Sequence, residues 1–253
     1  MDIKLKISIV TAAYNSASTI ADTINSVASQ TYPAYEHIVV DGLSNDATVE
    51  IIQEFDRPNV ILISEADKGI YDAMNKGVLR AQGDVIGILN SDDFYADDNV
   101  LDEVAEAFEQ DPKLEVLLGD VDFVDSSNLE RPIRNYRAVG FRPWMFQIGL
   151  MPPHPAVFVR KSSYERVGIY KLGYKIAADF DFLVRLLAVD RARYMVTGKH
   201  WVRMRTGGVS TSGLRSYSVS TNEILRSLSE NKLFSCWPMA LLRLPVKFFR
   251  QVF

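Results

Sequence analysis

The sequence predicts an α/β domain, with a mostly parallel central sheet and helices on both faces. Three observations predict it. Up to residue 124, short β-branched runs alternate with segments of helical apolar period, the mark of repeated strand–helix units. The chain has 253 residues, 47% of them hydrophobic, enough to bury one sizeable core. Polar residues follow the first four strand runs, where an open parallel sheet collects its ligands.

Residues 5–11 form the first strand run. Ser18 opens a helix with Ile20, Ile24, Val27 and Ala28 on one face, closed by Thr31-Tyr32-Pro33. Residues 37–40 are a short buried strand ending at Asp41-Gly42. Asp46 caps a second helix carrying Val49, Ile52 and Phe55. A third strand covers 60–64. Ile70, Met74, Gly77, Val78 and Ala81 then recur at helical spacing. Residues 85–89 give a fourth strand, 99–110 a helix stopped by Asp111-Pro112, and 116–124 a fifth strand. Beyond Ser126 the rhythm breaks. Residues 131–155 contain five prolines and read as long loops. Helices are expected over 161–167, 179–189 and 216–231, with one or two strands over 194–205. The expected organisation is one domain over 1–232, halved at about residue 125, followed by an apolar and basic tail over 233–253.

The net charge of −4 argues against a nucleic-acid binder, which needs a basic face. The single Cys236 excludes an intrachain disulfide and a Cys-rich zinc site, and fits a reducing cytoplasm. The N-terminus runs into a strand pattern with no signal-peptide character, and no apolar run reaches the roughly 20 residues of a spanning helix. A cytoplasmic protein is therefore expected.

The polar strand ends carry the chemistry. The first strand ends in Thr11-Ala12-Ala13-Tyr14-Asn15, the second in Asp41, the third in Glu65-Ala66-Asp67 and the fourth in Asn90-Ser91-Asp92-Asp93. Asp and Ser are ordinary turn residues, so one such end means little. Four in succession point to a ligand rim. Asp92 and Asp93 repel each other unless a cation sits beside them, and hard oxygen ligands select Mg²⁺ or Mn²⁺ bridging substrate phosphates. There is no Gly-x-Gly-x-x-Gly, no Gly-Lys-Ser/Thr phosphate loop and no Gly-x-Ser-x-Gly elbow. His37, His154 and His200 are too far apart for a local metal motif. A nucleoside diphosphate held by a divalent ion fits what remains.

These segments, in this order from Ile7 to about Gly208, resemble the family 2 glycosyltransferases of the GT-A fold. Residues 8–15, Ser-Ile-Val-Thr-Ala-Ala-Tyr-Asn, are similar to the family's first strand and its turn toward the nucleotide base. Val39-Val40-Asp41-Gly42-Leu43-Ser44-Asn45-Asp46 resembles its second nucleotide-binding segment, with Gly42 where a second acid often stands, so the base stays open. Asp67-Lys68-Gly69-Ile70-Tyr71-Asp72-Ala73-Met74-Asn75-Lys76-Gly77 is similar to a donor-side stretch of polysaccharide-assembly members. Leu89-Asn90-Ser91-Asp92-Asp93 stands at the Asp-x-Asp position. The resemblance implies donor contacts from Thr11, Ala13, Tyr14, Asn15, Asp41, Asp67, Lys68, Asn75, Ser91 and Asp92. It implies a metal on Asp93, with Asp92 near the ribose or a metal-bound water.

The same resemblance places the catalytic base in Ala177-Ala178-Asp179-Phe180-Asp181, where the motif register favours Asp179. Asp181 and Arg185, one turn apart, are alternatively a structural pair. His154 matches a polar position near the reaction centre of some relatives, or is a packed loop histidine. Gly207-Gly208 resembles a loop closing over donor or acceptor, and Lys68 and Arg205 are either diphosphate counter-charges or surface cations. The implied reaction is a single inverting displacement from a UDP-, GDP- or dTDP-sugar onto a glycan or lipid-linked acceptor, in capsule, exopolysaccharide or O-antigen assembly. Pro238 and Pro245 bar one continuous helix in the tail. It either lies on a bilayer with Arg243, Lys247 and Arg250 toward anionic lipid, or packs on the domain or a dimer partner. The rival readings are a sugar nucleotidyltransferase, a metal-dependent hydrolase and a catalytically silent nucleotide-sugar binder or scaffold.

Overall fold

A computed structural model of the chain describes residues 4–126, 128–206 and 213–244. Gly207 and Gly208 lie outside the described residues, as does the tail beyond Leu244.

The first half folds as its pattern predicts. β1 (Ile7–Ala13), β2 (Glu36–Asp41), β3 (Val60–Ser64) and β4 (Val85–Ile88) form a parallel block in the order β3-β2-β1-β4. The connections are α1 (Ile20–Ala28), α2 (Thr48–Glu54) and α3 (Ile70–Arg80). β1 is buried at every position because helices cover both its faces. On one face Val10, Ala12, Ile38 and Val40 pack with Met74 and Val78 of α3. On the other, Ile7 and Ile9 pack with Leu101, Val104 and Phe108 of α4 (Val100–Gln110). Gly77 sets the approach of α3. A Cβ there would lie 2.2 Å from Val10 Cγ1, so only glycine lets the helix rest on β1 at this depth.

The second half extends the sheet with mixed pairing. β5 (Asp93–Tyr95) follows the Asn90–Ser91–Asp92 turn, and β6 (Val116–Asp125) carries β7 (Asn128–Tyr136) antiparallel on it. β8 (Val157–Arg160) runs antiparallel between β4 and β6. β9 (Tyr194–Arg205) is one strand, parallel to β6 and antiparallel to β5, completing nine strands among the described residues. α5 (Lys161–Val167) and α6 (Ala178–Leu183) follow β8, and α7 (Gly213–Glu230) follows β9.

Two expectations need correction, and of the two readings open for the tail one describes its first part. Residues 131–155 are not all loop: they include the greater part of β7 and a 3₁₀ turn at Pro143–Ile148. β7 pairs only with β6 and is mostly exposed, so it lacks apolar alternation, and Pro132 sits at a register break where no ladder bond is demanded. The helix expected over 179–189 is α6 continued by a π-helical segment, Val184–Val189. The tail's described part packs on the domain. Pro238 sits in the first turn of α8 (Trp237–Leu241), and Arg243 is buried against α7 instead of facing lipid.

Candidate active site

The carboxyl ends of β1 to β4 form one rim, but the residues predicted there do different work. Thr11 is fully buried, its Oγ1 2.9 Å from His37 Nε2. Ala13 is buried under the turn, and its carbonyl accepts Gly42 N–H at 2.9 Å. Asp41 is also inaccessible. Its carboxylate accepts Ser44 N–H and the hydroxyls of Ser44 and Ser64, the last at 2.7 Å. These three, expected as donor contacts, build the floor beneath the rim, because the strand ends are covered by the turns that follow them. Asn75 is a further correction. It is buried on α3, and its amide bonds both the N–H and the C=O of Tyr170, at 2.9 and 2.8 Å.

The accessible rim consists of Tyr14, Asn15, Asp67, Lys68, Ser91 and Asp92. Asn15 has a φ of 50°, a left-handed conformation that asparagine tolerates, and its Oδ1 accepts Asn45 N–H at 2.9 Å. That turn presents Tyr14, which is 61% exposed. Gly42 explains the missing second acid. A Cβ there would stand 2.4 Å from Asp67 Oδ2 and 3.5 Å from the Tyr14 ring. The carboxylate of Asp67 thus occupies the space a side chain at 42 would take. Its Oδ1 accepts Gly69 N–H at 2.7 Å, leaving Oδ2 over Gly42.

The acidic turn after β4 has two oxygens without donors. Asp93 is 1% exposed; its Oδ2 accepts Asn90 Nδ2 at 2.9 Å, while Asp93 Oδ1 and Asn90 Oδ1 are buried and unpartnered. Burial and the neighbouring Asp92 charge push the Asp93 carboxyl well above the usual carboxylate range. Buried acceptors are rarely left without a donor, so two together mark a place for a cation. No group of three His, Cys, Asp or Glu gathers there among the described residues. The protein offers Asp92, Asp93 Oδ1 and Asn90 Oδ1, a partial set of hard oxygens of the kind Mg²⁺ or Mn²⁺ completes with water and phosphate. Asp92, partly exposed, is the accessible carboxylate, and Asp93 lies behind it. Ser91 Oγ meets Ser16 Oγ at 2.8 Å, and Arg205 Nη1 donates to Asp92 O at 2.8 Å while pairing with Asp22. Arg205 therefore fixes the turn's main chain.

Asp179 lies in the first turn of α6 and lines a cavity of about 800 Å³ together with His154, Tyr136, Met151 and Ile224. Its Oδ1 accepts Phe180 N–H at 2.8 Å, and the Tyr71 hydroxyl lies 3.2 Å from it and 2.5 Å from Ile176 O. Burial raises its pKa, while the nearby His154, the Phe180 N–H and the Tyr71 hydroxyl oppose the rise. His154 Nε2 is 2.8 Å from the Tyr170 hydroxyl, and burial lowers the imidazole pKa, which keeps it neutral near pH 7. Asp181 does not belong to this cavity. It is fully buried and bonded to Lys171, Arg185, Ser227 and Asn231, the structural alternative anticipated for it.

Sequence reasoning missed Tyr71 as a partner of Asp179, and it missed Arg205 as the anchor of the acidic turn. Tyr71 and Asn75 are four residues apart, so they share one face of α3, but that spacing does not say which element the face meets. The contact of Arg205 depends on β5–β9 pairing and leaves no local signal.

Residues 8–167 match the family model described as glycosyl transferase family 2. A PGL/p-HBAD biosynthesis glycosyltransferase of Mycobacterium bovis is 32% identical over 182 residues, covering 70% of this chain and 68% of that protein. The teichuronic acid biosynthesis glycosyltransferase TuaG of Bacillus subtilis, whose name is given as putative in function, is 37% identical over 98 residues, 37% of this chain and 38% of that one. Among solved structures, S. aureus TarS 1–349 with UDP-GlcNAc superposes with a TM-score of 0.67 at 19% identity, over 88% of this chain and 66% of that one. The mannosyltransferase PcManGT of Pyrobaculum calidifontis, with GDP-Man and Mn²⁺, gives 0.66 at 16% identity, over 98% and 73%. The chain spans about two thirds of the TarS fragment, and these structural likenesses establish the fold. On the family match, the ordered motifs and the fold, the chain belongs to glycosyl transferase family 2 and has the GT-A fold.

Proposed function

We propose that the chain is an inverting, metal-dependent glycosyltransferase that moves a sugar from a nucleoside-diphosphate sugar to an acceptor hydroxyl, with Asp179 as the base. One observation carries this reading. The segment that follows β3 joins both halves of the reaction, with Asp67 over Gly42 at the rim and Tyr71 four residues later against Asp179. In this reading the nucleobase of the donor stacks on Tyr14 and directs an N–H to Asp67 Oδ2, and the diphosphate lies over Ser91 and Asp92. The oxygens of Asp92, Asp93 and Asn90 would hold a divalent cation, which when bound neutralises charge on the departing nucleoside diphosphate. Asp179 accepts the proton of the acceptor hydroxyl as that oxygen forms the new glycosidic bond on the opposite face of the donor. His154, neutral and held by Tyr170, orients the acceptor beside it.

The acceptor is a glycan or a lipid-linked glycan of surface-polysaccharide assembly, a reading in line with relatives named for PGL/p-HBAD and teichuronic acid biosynthesis. No helix among the described residues is long and apolar enough to cross a membrane. The exposed Phe234, Trp237 and Leu242 support a peripheral contact with the cytoplasmic face of a bilayer.

Calorimetry with UDP-, GDP- and dTDP-sugars, with and without Mn²⁺, tests the core of this reading on the wild type and Asp92→Ala. One donor should bind in a metal-dependent manner and lose that binding in the variant. If no donor binds the folded protein with metal present, the transferase reading fails. Donor binding without turnover on any acceptor favours the catalytically silent binder.

A further inference from the structure

Six arginines hold a carboxylate among the described residues. Arg166 pairs with Glu115 and Asp190, Arg185 with Asp181, Arg193 with Asp111, Arg203 with Glu130, Arg205 with Asp22 and Arg226 with Glu230. Arg134 and Arg243 line the Asp179 cavity, and neither has an ion pair among the described residues. The guanidinium of Arg134, on β7, lies 3.9 Å over the ring of Phe123, and burial lowers its pKa. Arg243 is 4% exposed. It donates to the hydroxyls of Tyr217 and Thr221, at 3.2 and 2.8 Å, and sits 4.4 Å over the Tyr217 ring.

Rings and neutral hydroxyls offset only part of the cost of taking a guanidinium out of water; a counter-charge offsets far more. The cavity supplies little of it. Asp179 is the one acid in its lining among the described residues, a single charge facing more than one guanidinium, and its Oδ1 is already held by Phe180 N–H and Tyr71. Arg137, a third cation at the cavity, is exposed and adds to the imbalance, although it also acts on the buried Asp120. The rest of the wall includes Leu150, Met151 and Ile224. At about 800 Å³ the space suits a ligand larger than one sugar ring.

We propose that the acceptor is an amphiphile bearing a phosphate or carboxylate close to its reacting hydroxyl, with the anion held by Arg134 and Arg243 and the apolar part lying along Leu150, Met151 and Ile224. The planar guanidinium fork matches either anion in a bidentate manner. This rests on the reading of the cavity as the acceptor site beside the base.

The test is calorimetric titration of the full chain with octyl phosphate, octyl glucuronide and octyl glucoside, each below its micelle-forming concentration. The anions are expected to bind about tenfold or more tighter than the neutral glucoside, a preference that weakens with added salt. The tighter of the two anions identifies the group. Arg134→Gln should remove most of the preference, and Arg134→Lys should restore part of it. Equal affinities, no binding by any of the three, or a preference that survives both Arg134→Gln and Arg243→Gln would overturn the proposal. Where a glutamine variant does not fold, the wild-type preference and its salt dependence decide. Donor titration on the same samples separates the two readings. Metal-dependent donor binding without anion preference removes this inference and leaves the transferase; anion preference without donor binding removes the transferase, and with it the acceptor role, and leaves only an anion site at Arg134 and Arg243.

Discussion

At the residue scale, two aspartates two positions apart in sequence have opposite roles. Asp179 keeps a carboxylate on the cavity, with burial raising its pKa and Tyr71 restraining that rise. A base must be ionised to act, so activity should climb as pH rises through a value above the ordinary carboxylate range of about 4. Tyr71→Phe removes a contact that favours the charged form. The acidic limb of kcat/KM should therefore move to higher pH, with the alkaline plateau much less affected; an unmoved limb would refute the contact. Asp181 has every oxygen committed and no access to solvent. Asp181→Ala leaves the 13%-exposed Arg185 without its partner and should cost about 3–5 kcal/mol in chemical denaturation. Asp179→Asn should leave stability nearly unchanged while lowering kcat about 10²–10⁴-fold. Both carboxylates were visible in the sequence. The register favoured Asp179, and only the contacts of Asp181 with Ser227 and Asn231, both on or just beyond α7, assigned it to structure.

At the scale of elements, α3 is the part that ties the halves together. Its N-terminal turn follows Asp67, Tyr71 reaches Asp179, and Asn75 clamps the main chain of Tyr170, whose hydroxyl meets His154. The helix holds this position by lying on β1 at Gly77. Gly77→Ala forces a methyl toward Val10, an overpacking cost of about 1–3 kcal/mol, against a gain of about 1 kcal/mol in helix propensity. The net loss should lower Tm by about 2–4 °C per kcal/mol in a scanning measurement. An unchanged or higher Tm would show that Val10 yields without cost. The helix itself was legible from Ile70, Met74, Gly77 and Val78. β5, β7 and β8 were not, because two are only three and four residues long and the third is an exposed edge with a proline at its register break.

At the scale of the whole molecule, the sheet divides labour between its halves. The parallel half carries the polar rim proposed to take the nucleotide, and the mixed half carries the cavity over Asp179. Arg243 and Leu244, just beyond α8, line that cavity, so the tail contributes to its wall as well as to the surface. It leaves Phe234 73% and Leu242 50% exposed, with Trp237 beside them. If this face meets a bilayer, the chain should co-sediment with anionic vesicles. Trp237→Ser with Leu242→Ser should release it, and a double variant that sediments as well as the wild type would remove the membrane contact.

The sequence by itself determined the α/β class, the strand–helix rhythm of the first half, the family, and the two acidic segments that matter. Those properties are local, because strand period, helix period and turn chemistry are written in neighbouring residues. Which polar residues face the ligand was decided only by tertiary structure. Thr11, Asp41 and Asn75 are polar and sit in the right motifs, yet packing turned each inward to bind protein. Asp67 filled the space over Gly42, and Arg134 and Arg243 came to one cavity from β7 and the tail. Such placements depend on contacts between residues far apart in the chain, and no local pattern encodes them.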